Sequence, residues 1–173
     1  APNLVSDQVQ LKVVAFDVVN LSSSDTSDFF SIYDLTTPTI SVISPATGFS
    51  IPEYDSLTVT WNATDNIAMD SIRVYYSNDG GAFFNLVGQT AHPENTHDFI
   101  IPFGVTGSAQ VKLIAVDIYG NEGEQISDYF SITDNTPPTV TANTPDSVAI
   151  GDTLFLTWSA DDNTTLRSHH MYY

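Results

Sequence analysis

The feature that most constrains this chain is an internal repeat. Residues 1–45 align without gaps on residues 101–145, and 16 of these 45 positions are identical. Farther along, residues 57–76 align on residues 154–173, with 9 identities in 20 positions and an offset of 97. A repeat unit of about 100 residues has the size of one small β-sandwich. The repeat therefore predicts a chain built from copies of one small domain.

The phase of the repeat predicts one complete unit between two incomplete ones. Residues 36–134 hold the complete unit, residues 1–35 match only the C-terminal part of a unit, and residues 135–173 match only its N-terminal part. Neither incomplete segment can close a core alone, since each leaves apolar strand faces and open sheet edges in water. Two explanations stay open. Flanking sequence completes both halves, or the halves of different copies complete one another head to tail in a filament.

Within the complete unit, short segments alternate apolar and polar residues and are separated by turn residues, as in a sheet with one buried face. Leu57, Val59 and Trp61 share one face of the second segment, and we expect Trp61 to lie in the core. No segment carries a sustained helical period. The pattern predicts an all-β, two-sheet sandwich with seven strands, over residues 38–43, 56–63, 71–77, 82–87, 97–102, 109–117 and 124–133.

The segments SLTVTW, IRVYYSNDGG, VKLIAVDIYGN and SDYFSITD resemble the fibronectin type III and immunoglobulin-like repeats of secreted bacterial proteins. Trp61 and Trp158 stand where type III modules carry a tryptophan on the second strand. Leu113, Ala115 and Asp117 are similar to the sixth strand of those modules. The resemblance implies a tandem Ig-like or fibronectin-like β-sandwich that acts as a spacer, a stalk, an adhesion arm or an accessory module of a secreted enzyme.

The chain is strongly acidic, with 21 Asp and Glu residues against 4 Lys and Arg residues and a net charge of −17. This balance excludes the basic surface that binds nucleic acid or anionic lipid. No apolar run approaches the roughly 20 residues that span a bilayer. The absence of cysteine, together with the signs of secretion, favours an extracellular place in a bacterium or archaeon. No basic and apolar leader opens the sequence, so we expect any export signal to have been removed.

The sequence predicts no catalytic function. The four histidines have no serine or carboxylate partner at a recognisable motif spacing; they are His92, His97, His169 and His170. His92 and His97 fall in a polar loop, where a transition-metal site is the alternative to a solvated loop. We therefore expect a protein that is not an enzyme.

Three aspartates give the strongest indication of a binding site. Asp65 follows the second strand, Asp117 ends the sixth strand, and Asp34 lies in the linker that enters the unit. In a sandwich of this topology both loops and the linker lie at one pole, and each aspartate continues the buried-face parity of its strand. Converging carboxylates repel unless a cation neutralises them, and Ca²⁺ takes roughly six to eight oxygen ligands. The sequence predicts a calcium site at this junction; the alternative is a solvated acidic loop.

Further side chains extend this prediction. Three oxygen-bearing neighbours are expected to complete the calcium shell, namely Asn66, Asp70 and Asn121. An equivalent set recurs in the incomplete segments, namely Asp134, Asp162 and Asp17. In a head-to-tail assembly the first two residues of this set would meet Asp17 of the neighbouring chain. The expected partners are therefore neighbouring repeats or other copies of the chain.

Aromatic side chains offer a second kind of surface, one that stacks on sugars. The candidates are Tyr75, Phe83, Phe84 and Tyr119, and the alternative for them is a place in the core. Phe83 and Phe84 are adjacent in a predicted strand, so one of them must face outward. Two functions stay open. One is an extracellular structural or adhesive segment of a repeat protein or fibre, and the other is a non-catalytic accessory module that binds a glycan or another surface.

Overall fold

A computed structural model describes residues 4–172, and every regular element within that range is a β-strand. The strands are β1 (Ser6–Val9), β2 (Lys12–Phe16), β3 (Ser22–Thr26), β4 (Phe30–Ile32), β5 (Thr39–Ser44), β6 (Ser50–Pro52), β7 (Ser56–Thr64), β8 (Met69–Ser77), β9 (Asn85–Ala91), β10 (Thr96–Ile100), β11 (Thr106–Asp117), β12 (Glu122–Ile126), β13 (Phe130–Thr133), β14 (Thr139–Asn143) and β15 (Thr157–Asp161). The expected all-β class is confirmed. The described residues include no helix long and apolar enough to cross a membrane.

Strands β5 to β13 form a sandwich of two sheets. One sheet has the order β10-β7-β5. The other has the order β6-β13-β11-β8-β9, and β12 also pairs with β11. Neighbouring strands are antiparallel except for β13 and β6, which are parallel. The predicted two-sheet sandwich is confirmed.

The core lies between the inward faces of β7, β8 and β11. Successive side chains of a strand point to opposite faces, so each of these strands contributes one buried row. Trp61 is 1% exposed, which confirms its expected place in the core. The other buried apolar side chains of the three strands are Leu57, Val59, Ile72, Val74, Tyr76, Ala109, Val111, Leu113 and Ala115.

The predicted first strand, 38–43, corresponds to β5, and β6 is an additional strand that was not predicted. β5 and β6 belong to opposite sheets; the break between them contains Pro45, which has no N–H, and Gly48, whose φ is +79°. The predicted seventh strand divides into two. The seventh becomes β12 and β13, which pair with opposite halves of β11. At that break the Ser127 hydroxyl accepts a hydrogen bond of 3.0 Å from the Val111 N–H, in place of a backbone carbonyl. The alternation of apolar and polar residues does not reveal a side chain that interrupts the hydrogen bonds between strands, so this break was not predicted.

The terminal segments repeat the strand registers of the sandwich. Trp158 in β15 lies opposite Ala142 in β14, as Trp61 in β7 lies opposite Val42 in β5. The β2–β3 and β1–β4 pairs likewise reproduce the β11–β12 and β11–β13 pairs at an offset of 100. The division of the chain into units at residues 1–35, 36–134 and 135–173 stays a prediction.

Equivalent positions are buried in the sandwich and open in the terminal segments. Trp158 is 50% exposed where Trp61 is 1% exposed, and Phe30 is 40% exposed where Phe130 is 1% exposed. Every residue of β2, β3 and β14 is exposed. The apolar residues of β2 and β14 are therefore uncovered within residues 4–172, whereas β3 consists of polar residues only.

Candidate metal centre

Three carboxylates from separate segments meet at one pole of the sandwich. The linker after β4 supplies Asp34, the loop after β7 supplies Asp65, and the end of β11 supplies Asp117. One side-chain oxygen from each lies within 4.8 Å of the other two. Asp34 is 9% exposed, Asp117 is 2% exposed and Asp65 is half-buried. The strand order thus brings the three aspartates together, as their parity predicted.

Asp117 is held by the tight turn that follows β11. Its Oδ1 accepts hydrogen bonds of 2.8 Å from the N–H groups of both Tyr119 and Asn121. Gly120 provides the positive φ, +86°, that the turn requires. Burial raises the pKa of the Asp117 carboxyl, but the Asn121 side chain and the turn's N–H groups outweigh burial and lower the pKa overall. Asp117 therefore favours the charged form.

Asp34 and Asp65 each direct one oxygen to a partner and leave the other without one. Oδ1 of Asp34 accepts from the Thr36 N–H at 3.0 Å, and Oδ2 of Asp65 accepts from the Ile67 N–H at 3.0 Å. Asp34 Oδ2 and Asp65 Oδ1 are buried and accept no hydrogen bond from the protein. A buried acceptor without a donor costs about 1–3 kcal/mol, and more if it is charged.

The two predicted amide ligands contact the cluster through nitrogen and not through oxygen. Asn66 Nδ2 donates to Asp34 Oδ1 at 3.2 Å, and Asn121 Nδ2 donates to Asp117 Oδ2 at 2.7 Å. Both amides therefore hold carboxylates in place.

The cluster contains no compensating cation. Within the described residues the single ion pair joins Arg73 and Glu122. The Lys112 ammonium lies instead over the rings of Tyr75 and Phe84, at 5.2 and 5.0 Å from their centroids. Buried oxygens without donors, from hard carboxylate groups only, are the donor set that Ca²⁺ prefers. The arrangement fits a divalent cation.

The remaining predicted ligands lie elsewhere. Asp70 is an exposed residue of β8 and does not belong to the group of close carboxylates. Asp134 and Asp162 are close, because the Thr164 hydroxyl lies 2.9 Å from Asp134 Oδ2 and 2.6 Å from Asp162 Oδ2. Asp17 lies in the turn after β2, where its Oδ1 accepts from two N–H groups of that turn. The equivalent set in one chain is thus divided between its two ends.

His97 is not in a loop. It lies in β10 opposite Val59, with Nε2 3.3 Å from the Val87 carbonyl oxygen. A Cβ at Gly88 would lie 2.0 Å from His97 Nε2, so this glycine makes room for the ring. The predicted polar loop was wrong for His97, whereas the predicted strand over 97–102 includes it; space at Gly88 allows the ring to pack against β9 of the other sheet.

The aromatic candidates divide between exposed and packed positions. Phe83 is 75% exposed, which bears out an outward-facing member of the Phe83–Phe84 pair. Both residues lie in the turn before β9 and not in a strand, since the Asp79 carboxylate accepts from the Phe83 N–H at 3.1 Å and closes the turn. Tyr119 is 48% exposed and lies in the turn next to Asp117.

Sequence reasoning missed one residue. Glu53 is fully buried in the loop between β6 and β7, at the opposite pole from Asp117. The turn closed by the Asp55 N–H and the Pro52 carbonyl oxygen recurs at Asp152 and Ala149, which makes Ile150 the counterpart of Glu53 at the offset of 97. That mismatch in the repeat was the available signal.

Comparisons with known proteins give two matches. A family profile described as a bacterial Ig domain matches residues 38–137, more than half of the chain. Among solved structures, the fibronectin(III)-like modules of Clostridium thermocellum CbhA match at 15% identity and a TM-score of 0.41, over 56% of this chain and 94% of theirs. A search of curated proteins finds no match.

Proposed function

The chain belongs to the bacterial Ig domain family, and we propose that it is a non-catalytic extracellular spacer whose sandwich binds calcium at the pole where the linker enters. The family match confirms the Ig-like resemblance drawn from the sequence. Bacterial Ig-like modules are typically extracellular or surface-associated, and they are generally not catalytic. The observation that supports the calcium site is the pair of buried, unpartnered oxygens on Asp34 and Asp65 beside Asp117.

The calcium ion would act as a tie between the linker and the sandwich. Asp34 belongs to the linker, whereas Asp65 and Asp117 belong to the sandwich. An ion held by all three would restrict the linker and remove the repulsion among them, with backbone carbonyls or water in the remaining positions. Extracellular calcium modules bind at roughly 10⁻⁴–10⁻³ M. At ten times the dissociation constant, binding adds only about 1.4 kcal/mol of stability.

Thermal unfolding in excess calcium and in chelator tests this proposal. We expect calcium to raise the Tm of the wild type and to leave the Tm of Asp65→Asn unchanged. In chelator, Asp65→Asn should unfold no earlier than the wild type, because the substitution removes like-charge repulsion. Asp70→Asn is the matched control, since Asp70 is exposed, and it should keep the calcium response. A wild-type Tm that is equal in calcium and chelator contradicts the calcium site.

The same proposal assigns neighbouring units as the partners of the terminal segments. The uncovered apolar residues of β2 and β14 support this assignment, because such faces are stable only when another sheet covers them. The neighbours are either repeats in the same polypeptide or other copies of the chain. Light scattering on the 173-residue chain separates the two. A mass that grows with concentration supports assembly between copies. A stable, folded monomer at high micromolar concentration contradicts assembly between copies.

One observation favours the second candidate function, binding to a glycan. Phe83 projects from the turn before β9 with three quarters of its surface exposed. Exposed aromatic rings stack on apolar sugar faces. Retention on insoluble polysaccharide, lost in Phe83→Ala, would support an accessory module. Passage of the wild type through the same matrix removes this candidate.

A further inference from the structure

Glu53 connects the sandwich to the segment that follows it. Its Oε2 accepts from the Gly104 N–H at 3.1 Å. Its Oε1 accepts from the Thr136 hydroxyl at 2.6 Å and from Asn163 Nδ2 at 2.7 Å. Gly104 belongs to the sandwich, Thr136 lies in the linker after β13, and Asn163 lies in the loop after β15. One carboxyl group thus joins three segments.

The contacts of Glu53 call for a side chain that only accepts. All three partners are donors, and a carboxylate meets them with acceptor oxygens alone. Burying such a group is costly unless donors surround it. The equivalent position of the C-terminal segment carries Ile150, so the repeat itself does not require a carboxyl group there. Two of the three hydrogen bonds of Glu53 cross the junction, which is what the carboxyl group adds to the fold of one unit.

The other end of the sandwich carries the counterparts of the two donors. In the repeat alignment Thr36 corresponds to Thr136, and Asn66 corresponds to Asn163. Both are exposed, whereas Thr136 and Asn163 are half-buried against Glu53. Asn66 donates instead to Asp34 of its own linker at 3.2 Å. Asn163 likewise interacts with the equivalent aspartate, Asp134, so the bond to Glu53 is the contact that the second junction adds.

We propose that Glu53 is a carboxylate latch, a buried acceptor that fixes the orientation of the following segment. The surface that it binds consists of Thr136 in the linker and Asn163 in the loop after β15. Thr36 and Asn66 present the same surface at the other pole, where the fitting partner is the glutamate-bearing end of another Ig unit. The three hydrogen bonds of Glu53 come from protein donors, so the latch goes beyond the calcium proposal and is tested separately from it.

The distance between two spin labels tests the latch directly. The chain has no cysteine, so cysteines placed at the exposed positions Thr58 in β7 and Thr141 in β14 take labels without background. Measurements in chelator keep the calcium site out of the result. We expect one narrow distance for the wild type. Glu53→Ile, which copies the residue at position 150, should broaden that distribution, and Glu94→Gln in an exposed loop should leave it unchanged.

A second variant keeps the test independent of the folding of Glu53→Ile. Asn163→Ala removes a donor from the other side of the latch and should also broaden the distribution of distances between the labels. The double variant should add little to Glu53→Ile, because both changes break one interaction. Distributions as narrow as the wild type in folded Glu53→Ile, or in Asn163→Ala, would overturn the latch. A calcium-independent Tm would contradict only the calcium site.

Discussion

Tyr76 puts a hydroxyl group inside the sandwich where no protein group meets it. Its side chain is 4% exposed, and its ring packs against Phe99 and Phe130 with centroid distances of 5.4 and 6.5 Å. The hydroxyl oxygen has no hydrogen-bond partner in the protein. The ring therefore stabilises the core, while the hydroxyl opposes folding. At the scale of residues, such a buried polar atom without a partner is a cost that the packing of the surrounding apolar side chains must offset.

Tyr76→Phe should stabilise the fold by about 1 kcal/mol, because it removes an unpaired buried hydroxyl and keeps the ring. Burial raises the pKa of Tyr76 to about 12. The unfolded chain loses this proton at about pH 10, so wild-type stability should fall between about pH 10 and about pH 12. Denaturant unfolding across that range should show a smaller fall for Tyr76→Phe. Equal slopes for both proteins would contradict the buried hydroxyl.

Trp61→Ala should cost about 3–5 kcal/mol, since the indole fills the centre of the core and its loss leaves a cavity. Trp158→Ala is the matched control, because it changes the aligned residue at a position that is 50% exposed. Its cost should be much smaller. Urea unfolding followed by circular dichroism measures both. Similar costs for the two substitutions would show that the C-terminal segment buries Trp158 in solution.

At the scale of elements, close approach of strands fixes the edge of the sandwich. Gly123 in β12 faces the start of β5, and a Cβ at this glycine would lie 1.9 Å from the Pro38 carbonyl oxygen. Backbone atoms cannot move aside as a side chain can, so β12 and the linker before β5 approach closely only because residue 123 is glycine. This contact joins the second sheet to the linker that carries Asp34.

Gly123→Ala should therefore destabilise the fold and move the linker away from β12. Gly107→Ala is the control, because nothing lies within 4 Å of a Cβ there. That change should be neutral or should stabilise by a few tenths of a kcal/mol, since alanine restricts the unfolded chain. The difference in Tm between the two variants measures the close approach. Equal Tm values for the two variants would contradict the close contact between Gly123 and the Pro38 carbonyl oxygen.

The sequence predicted the sheets and the aspartate cluster because both follow from strand parity. Asp65 and Asp117 continue the buried rows of β7 and β11, and parity extends past a strand end for a residue or two. The role of Asn121 was not predictable, since parity does not decide which atom of an amide faces a neighbour. Glu53 was missed because its burial comes from Thr136 and Asn163, which are far away in sequence.

At the scale of the whole molecule, the chain is strongly acidic. With 21 acidic residues and 4 basic ones, the surface repels itself. At 0.15 M salt, charges separated by more than about 8 Å are largely screened. Added sodium chloride should therefore raise the Tm of the wild type and of Asp65→Asn alike. Millimolar calcium at constant ionic strength should separate the two proteins. A salt response confined to the wild type would place the main repulsion in the aspartate cluster alone.

Calcium titration by isothermal calorimetry tests the central claim, which is that Asp34, Asp65 and Asp117 bind one ion where the linker meets the sandwich. We predict saturable binding to the wild type and to Asp70→Asn, with a dissociation constant of roughly 10⁻⁴–10⁻³ M. Asp34→Asn and Asp65→Asn should each lose that binding. No saturable heat with the wild type, or the same isotherm with Asp34→Asn and Asp65→Asn, would contradict the claim.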